Sequence, residues 1–230
     1  MPPKFSIIIP AYNEEKYIRK TLHGIKNQTF QDYEVILVTN GCTDKTEELA
    51  KKRADEKLRV LSLPKPNVSV ARNAGALNAQ GNILLFLDAD TLLAPDSLQK
   101  INEQFTEEYS VATTKALPDT PELKYALALK LKNFYNTTKI YQGCSGALIC
   151  RKEDFQKAEG YNPEIALREH RKLILKLKEF GEFKCIDTSV TTSMRRFKQW
   201  GLSKALLFWA KQWGKDHFGN LNNSEYEKIR

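Results

Sequence analysis

The sequence predicts an α/β protein in which a Rossmann-like, mostly parallel β-sheet is flanked by helices. Short apolar runs alternate with helical patterns through the first half, and such alternation implies parallel strands joined by right-handed crossovers. The chain has 230 residues, of which 41% are hydrophobic, and this is enough for one substantial core. No run reaches the 18 apolar residues that a membrane-spanning helix needs.

The elements of the first half follow in order. β-Branched or Leu-rich runs predict strands at residues 5–10, 34–39, 58–63 and 83–87. The segments between and after them predict helices at residues 14–27, 44–56, 69–80 and 95–109. Asp44 and Ser69 are suitable N-caps, and Pro95 suits the first turn of its helix.

After about residue 110 this alternation is lost. The sequence predicts a strand at 110–116, a helix at about 121–135, a Gly-rich segment at 143–146 and a helix at about 167–180. No repeat or low-complexity linker divides the chain. We therefore expect a single domain with a first half at 1–110, a smaller second half at 111–190 and a basic C-terminal segment at 191–230.

The C-terminal segment has a basic, amphipathic pattern. Between residues 192 and 218 there are six Lys or Arg and one acidic residue. Apolar residues recur at spacings of four, three and four and predict one helical stripe: Leu202, Leu206, Trp209 and Trp213. Such a helix could rest on a membrane interface, close over a site or pack on the domain, and packing is its commoner fate.

Charge and cysteine content narrow the partners and the compartment. The net charge of +8 favours an anionic partner such as a nucleotide diphosphate, anionic lipid or nucleic acid. The four cysteines show no CxxC spacing, so we expect reduced, structural thiols. The apolar run at 5–10 is too short for a signal peptide, and we expect a cytoplasmic protein.

Two carboxylates follow the fourth predicted strand. Asp88 and Asp90, separated by Ala89, come directly after the apolar run, at the end of the strand where α/β sheets bind ligands. Hard oxygen ligands suit Mg²⁺ or Mn²⁺ holding a diphosphate. The local alternative is a turn in which the two aspartates cap the next helix.

Two common phosphate-binding motifs are absent from the sequence. No G-x-G-x-x-G follows the first strand, as a dinucleotide dehydrogenase requires, and no G-x-x-x-x-G-K-[ST] marks a P-loop. Segments 6–15, 38–46, 71–81 and 86–91 instead resemble, in order and spacing, the successive motifs of the family 2 glycosyltransferases with the GT-A fold. A weaker resemblance continues through 143–181.

This resemblance implies an inverting glycosyltransferase. It would move a sugar from a nucleotide-diphosphate sugar to a hydroxyl or phosphate of a glycan, lipid carrier or small acceptor, with Mn²⁺ or Mg²⁺ as cofactor. Residues 1–110 would then bind the nucleotide sugar, and residues 111–190 would form the acceptor side.

The resemblance also implies donor-binding residues. Those lining the base and ribose pocket would be Pro10, Ala11, Tyr12 and Glu14. The Thr39–Asn40 pair stands where the family usually has two aspartates, and an amide pairs with guanine's adjacent donors less well than a carboxylate does. We therefore expect UDP-sugars to be preferred over GDP-sugars.

On the same basis, Arg72 and Asn73 match the family's Ala-Arg-Asn segment and would belong to the nucleotide-sugar site, where Arg72 could bridge to a phosphate or to the aspartates. Asp88 would lie near the ribose, and Asp90 would be the direct metal ligand.

The acceptor-side assignments follow the same resemblance. Glu169 and His170 stand where the family has a Glu-Asp pair that includes the catalytic base, and the usual Asp is here His170. Either residue could remove the acceptor proton, or the acceptor could already be ionised. Gly143, Cys144 and Ser145 resemble the family's small-residue segment near the sugar. Apart from the resemblance, Arg195 or Arg196 of the basic C-terminal segment could neutralise the diphosphate. Segment 195–215 could contact the inner face of a membrane.

Two other functions can be compared with the glycosyltransferase, and one of them remains open from the sequence. Asn40 and His170 both replace acidic residues of the family, and this is compatible with a non-catalytic nucleotide- or glycan-binding relative. A nucleic-acid partner is not expected, because the Arg and aromatic residues form no RNP-like pattern.

Overall fold

A computed structural model of the chain describes residues 1–165, 168–201, 204 and 207. Over these residues the fold is an eight-stranded sheet with helices on both faces. The strands are β1 (Phe5–Ala11), β2 (Tyr33–Asn40), β3 (Leu58–Leu63), β4 (Ile83–Phe86), β5 (Thr91–Leu93), β6 (Tyr109–Pro118), β7 (Leu148–Arg151) and β8 (Glu182–Thr192). Their order across the sheet is β3-β2-β1-β4-β7-β6-β8-β5.

The four strands predicted for the first half form one parallel unit. β1 pairs in parallel with β2 on one side and with β4 on the other, and β2 pairs in parallel with β3. Every residue of β1 is buried, because helices cover both faces of the sheet and an unbroken apolar run is stable there. The predicted α/β class with a mostly parallel sheet is confirmed.

The other four strands, β5 to β8, extend this sheet, and the sequence pattern largely missed them. β7 pairs antiparallel with both β4 and β6, while β6 and β8 pair in parallel. β5 completes the edge by pairing antiparallel with β8. Only β6 corresponds to a predicted strand, that at 110–116.

The helices of the described chain are α1 (Ile18–Lys26), α2 (Thr46–Lys51), α3 (Val68–Leu77), α4 (Ser97–Gln104), α5 (Leu123–Thr137), α6 (Lys152–Lys157), α7 (Glu169–Leu177) and α8 (Arg195–Trp200). The N-cap predicted for α3 is wrong. Asn67 caps this helix by accepting the N–H of Val70 at 3.1 Å, whereas Ser69 lies inside the first turn. An Asx cap satisfies a backbone donor that the helix itself leaves unpaired.

The core consists of two apolar clusters, one on each face of the sheet. One cluster joins Ile7 and Ile9 to α1, α4 and α5, and the other joins Ile8 and Phe86 to α3, α6 and α7. Gly75 brings α3 close to β1, because a Cβ at this position would lie 2.4 Å from the Ile8 side chain. The sheet is thus covered on both sides, and its strand ends remain available for ligands.

The C-terminal part of the described chain packs against the second half. The Phe197 ring of α8 lies 6.2 Å from the Tyr125 ring of α5. The stripe predicted from Leu202 to Trp213 lies outside the described residues. Within the described chain, no helix combines the length and the apolar character needed to cross a bilayer. The four cysteines are all free thiols.

Candidate active site

The cleft lies at the carboxyl ends of the parallel strands. β1 ends at Ala11, its neighbour β2 ends at Asn40, and β4 leads directly into the segment that holds Asp88 and Asp90. Because parallel strands point the same way, these ends meet at one edge of the sheet. The predicted donor-binding residues are therefore brought together by the topology.

The two aspartates differ in environment. The Asp88 side chain is 56% exposed within the cleft, while that of Asp90 is 15% exposed. Burial, together with the nearby Asp88 and Glu14 carboxylates, raises the pKa of Asp90 to about 6. Desolvation by the surrounding protein acts to raise the pKa of Asp88, but the Arg72 guanidinium outweighs this effect, and the pKa is lowered. The positive charge near Asp90 therefore does not offset the effects of burial and of the neighbouring carboxylates.

Arg72 links the aspartate segment to α7. Its guanidinium donates to Asp88 Oδ1 at 3.0 Å and to Glu169 Oε1 at 2.9 Å. The side chain is almost completely buried and lies over the Tyr161 ring, 5.2 Å from its centroid. One cation therefore fixes two carboxylates that are 81 residues apart in the sequence, one from each half of the domain.

A second guanidinium bridges the other pair of carboxylates. Arg195, the first residue of α8, donates to both carboxylate oxygens of Glu14, with its Nη1 atom 2.8 Å from Oε2. Its Nη2 atom also lies 3.1 Å from Asp90 Oδ2. Arg196, the next residue, is close enough to Asp88 to help lower the pKa of that carboxyl. Both arginines predicted to neutralise a diphosphate thus lie beside the aspartates.

Glu169 and His170 begin α7 at the opposite wall of the cleft. Arg168 precedes them with a left-handed backbone, φ 61°, which is uncommon for a residue other than glycine and is often found at functional sites. His170 Nδ1 lies 2.9 Å from the Tyr161 hydroxyl. Burial and the nearby Arg72 lower the pKa of His170 to about 4, so its imidazole is neutral at pH 7.

The Gly143–Cys144–Ser145 segment is held beside this wall by α5 and β6. Asn136 of α5 accepts the N–H of Gly143 at 2.8 Å and donates to the Ser145 hydroxyl at 2.5 Å. Ser145 N–H in turn donates to Thr113 Oγ1 at 3.0 Å. Burial raises the pKa of the Cys144 thiol to about 11, so the thiol stays protonated. The segment is a fixed part of the cleft wall.

The base end of the cleft is formed by the ends of β1 and β2. Pro10, Ala11 and Glu14 are buried there, and Tyr12 is partly exposed. Asn40 is buried, and its amide oxygen accepts the N–H of Asn67 at 2.8 Å. One of the two lone pairs that could accept a hydrogen bond from a nucleobase N–H is therefore already used.

The hydrogen bonds of the Asn73 side chain go to the backbone of Tyr161. Its amide donates to the Tyr161 carbonyl oxygen at 2.7 Å and accepts the Tyr161 N–H at 2.9 Å. Both ends of the amide are therefore engaged with one backbone unit. Asn73 holds the tyrosine that contacts His170 and Arg72, and these hydrogen bonds indicate a positioning role rather than the nucleotide-sugar contact that we expected.

Sequence reasoning missed several residues that complete the cleft: Glu47, Lys132, Asn136 and Tyr161. Glu47 of α2 accepts from the Thr39 hydroxyl at 3.1 Å and so supplies a carboxylate near the position where Thr39 replaces an aspartate. The Lys132 ammonium of α5 acts to lower the pKa values of Cys144 and His170, and the Asp88 carboxylate acts to raise the pKa of Lys132. These residues belong to helices or loops without a recognised motif, so only the fold could identify them.

The chemistry of the aspartate segment fits a divalent cation. Asp90 is a hard oxygen donor whose ionised form is disfavoured by burial and by two neighbouring carboxylates, and a bound cation would relieve that repulsion. Within the residues that the structure describes, no cluster of three or more potential ligand side chains occurs. A Mg²⁺ or Mn²⁺ ion here would take its remaining ligands from phosphate oxygens and water.

Comparison with known protein families agrees with this geometry. Residues 6–156 match the sequence model of the family described as Glycosyl transferase family 2. The hyaluronan synthase of Pasteurella multocida is 28% identical over 96% of this chain. The aligned part makes up 23% of that relative, so the chain spans about a quarter of its length.

Solved structures share the fold at lower identity. TarS from S. aureus, determined with UDP-GlcNAc, superposes with a TM-score of 0.67 at 20% identity, covering 97% of this chain and 62% of TarS. A mannosyltransferase from Pyrobaculum calidifontis, determined with GDP-Man and Mn²⁺, gives a TM-score of 0.71 at 16% identity, covering 96% and 66%. The predicted GT-A fold is confirmed.

Proposed function

Because the chain belongs to glycosyl transferase family 2, and is therefore a glycosyltransferase, we propose that it transfers a sugar from a nucleotide-diphosphate donor with inversion at the anomeric carbon. The observation that carries this proposal is the Arg72 bridge, which holds Asp88 and Glu169 on facing walls of one cleft. A donor held at the aspartates and an acceptor held at α7 would meet between them. This arrangement favours a catalyst over a binding protein of the same fold.

In the proposed reaction, Glu169 is the general base. Its carboxylate removes a proton from the acceptor hydroxyl as the oxygen attacks the anomeric carbon, and the bond to the diphosphate breaks in the same step. His170, with a pKa of about 4, is a weak base at neutral pH and instead orients the acceptor through its neutral imidazole. Arg72 fixes the direction of the Glu169 carboxylate.

The leaving diphosphate needs positive charge at the aspartate side. Asp90 and Asp88 would hold Mn²⁺ or Mg²⁺, which when bound supplies Lewis-acid stabilisation of the departing phosphate. Arg195 lies 3.1 Å from Asp90 and Arg196 acts on Asp88, so both can add hydrogen bonds to phosphate oxygens.

We propose UDP-sugars as the preferred donors. Asn40 offers a single free acceptor lone pair, because its amide oxygen already accepts from Asn67. Uracil presents one N–H to such a site, whereas guanine presents adjacent donors that a carboxylate satisfies better. Solved relatives bind donors of both kinds, since TarS was determined with UDP-GlcNAc and the mannosyltransferase with GDP-Man.

On the acceptor side we propose a hydroxyl or phosphate of a glycan, lipid carrier or small molecule. The Gly143–Ser145 segment, which is held by hydrogen bonds to Asn136 and Thr113, would contact the sugar or the acceptor. We also propose a cytoplasmic enzyme that contacts the inner membrane face, partly through segment 195–215. Only residues up to Gly201, with Lys204 and Leu207, are described in that segment.

Donor hydrolysis in the absence of an acceptor tests the proposal. UDP-, GDP- and dTDP-sugars are incubated with Mn²⁺ or Mg²⁺, and release of the nucleoside diphosphate is measured beside calorimetric titration of each donor. We expect the tightest binding and fastest hydrolysis with a UDP-sugar, and loss of both metal-dependent binding and hydrolysis in Asp90→Asn. A clear preference for GDP-sugars refutes the donor assignment. An Asp90→Asn variant that hydrolyses donor like the wild type refutes the metal assignment.

A further inference from the structure

Helix α5 has two apolar faces, and the described chain covers only one of them. Tyr125, Leu129 and Asn136 point into the domain and are buried. On the outer side, four large apolar residues are 54–71% exposed and recur every three or four positions: Leu123, Leu127, Leu131 and Phe134. We call these four residues the α5 outer face. Soluble domains seldom leave such a continuous stripe in water without a partner.

Lysines surround the α5 outer face. At 100° per residue, Lys124 and Lys130 flank the stripe on opposite sides, and both are exposed. Lys124 also forms an ion pair with Glu122 at 2.8 Å. Between residues 119 and 140 there are four lysines and two acidic residues. Lys124 and, to a smaller extent, Lys198 of α8 lower the pKa of the Glu122 carboxyl, so Lys198 is a second cation near the start of the helix.

We propose that the α5 outer face is a membrane-docking surface that rests on an anionic lipid bilayer. Leucine and phenylalanine side chains would enter the acyl boundary, and the flanking lysines would reach the phosphate groups of the lipids. Each lysine near an anionic surface adds to the attraction. The surface is parallel to the bilayer and lies on a rigid helix, so no part of the chain has to span the membrane.

Charge complementarity distinguishes a bilayer from the other occupants. In a symmetric dimer the stripe would face its own copy, which would bring the lysines of both copies together. The chain's own residues 208–230 contain four Lys or Arg and three acidic residues, so their net charge is not opposite to that of these lysines. An anionic bilayer offers both an apolar interior and negative charge.

Docking through α5 would bring the acceptor side of the cleft to the membrane. The inner side of the same helix holds Gly143 and Ser145 through Asn136, and its Lys132 is coupled to Asp88. The bilayer contact and the cleft wall are therefore two sides of one helix. Vesicle binding does not require catalysis, so this inference can fail or succeed independently of the proposed function.

The test is vesicle flotation of the full chain with phosphatidylcholine alone and with added phosphatidylglycerol. The variant is the triple substitution Leu127→Gln, Leu131→Gln and Phe134→Gln. The control is Leu77→Gln, which removes an 83%-exposed leucine from α3. We expect salt-sensitive binding of the wild type to the anionic vesicles only. The triple variant should lose roughly tenfold or more in partitioning, and the control should bind like the wild type.

Two further measurements distinguish the bilayer from a protein partner. Because the replaced side chains are exposed, the triple variant should keep the wild-type melting temperature, molar mass by light scattering and donor hydrolysis. Absence of wild-type binding to anionic vesicles, or wild-type binding by the triple variant, overturns the proposal. A fall in melting temperature or a change in molar mass also overturns it, since either shows that protein covers the face.

Discussion

Removing the charge of Asp90 should stabilise the metal-free protein while abolishing the metal-dependent activity that we propose. Burial and the Asp88 and Glu14 carboxylates raise the pKa of Asp90 from 3.8 to about 6, even though Arg195 acts in the opposite direction. Asp90→Asn imitates the neutral form without changing the size of the side chain. Stabilisation on loss of a charged group is the behaviour expected of a functional site rather than of a structural ion pair.

The raised pKa of Asp90 determines the sign and the size of the stability change in Asp90→Asn. A carboxyl with a raised folded-state pKa binds its proton more tightly in the folded chain, so its contribution to stability declines as the pH rises from about 4 to about 6. The difference of about 2 pKa units corresponds to roughly 3 kcal/mol at pH 7.5. Asp90→Asn should recover about 2–3 kcal/mol there, which raises the melting temperature by roughly 4–12 °C for a chain of this size. Below about pH 4 the gain should vanish.

Thermal unfolding in EDTA at several pH values measures this effect. Glu34→Gln is the matched control, because hydrogen bonds from Ser6, Gln80 N–H and Arg59 outweigh burial and lower the pKa of Glu34. That variant should destabilise the protein at pH 7.5. Adding Mn²⁺ should stabilise the wild type but not Asp90→Asn. Equal or lower stability of Asp90→Asn in EDTA at pH 7.5 would refute our account of the cleft's electrostatics.

Three other substitutions test individual groups of the cleft. Arg72→Lys keeps the charge but loses one of two charge-assisted hydrogen bonds, which are worth about 1.5–3 kcal/mol each. We therefore expect kcat/KM to fall about 10- to 150-fold. The control Arg59→Lys, which lies outside the cleft, should leave kcat/KM unchanged. Glu169→Gln should lower kcat at least about a hundredfold and His170→Gln less than about tenfold, and the reverse ranking would make His170 the base. Lys132→Met should weaken calorimetric binding of a nucleotide sugar about five- to tenfold by removing a cation from the cleft, and an effect no larger than that of Lys124→Met would contradict its role.

The first half of the fold could be predicted because its strands are buried on both faces. The run from Phe5 to Pro10 is apolar at nearly every position, so this local pattern alone predicts a strand, whatever strands pair with it. β8 could not be recognised in this way, since charged and hydroxyl residues occupy much of Glu182–Thr192. Its pairing with β6 and β5 comes from contacts distant in sequence, and a local pattern does not contain them.

The same distinction applies to the candidate site. Asp88 and Asp90 carry a local signal, two carboxylates at the end of an apolar strand. The role of Asn73 depends on a partner 88 residues away, the Tyr161 backbone, and therefore the sequence motif alone assigned it to the donor. Lys132 likewise has no motif of its own, because its place in the cleft depends on how α5 packs over the Gly143–Ser145 segment.

Two arginines from distant parts of the chain make the cleft one electrostatic unit. Arg72 joins Asp88 to Glu169, and Arg195 joins Asp90 to Glu14. Since the two aspartates repel each other, a cation that binds Asp90 also changes the field at Asp88, and hence at the Arg72 bridge that orients Glu169. In the proposed mechanism, donor binding at one wall would thereby be coupled to the orientation of Glu169 at the other. Both guanidinium bridges join residues that are distant in the sequence, which is why the Asp-Ala-Asp segment alone could not indicate a link to Glu169.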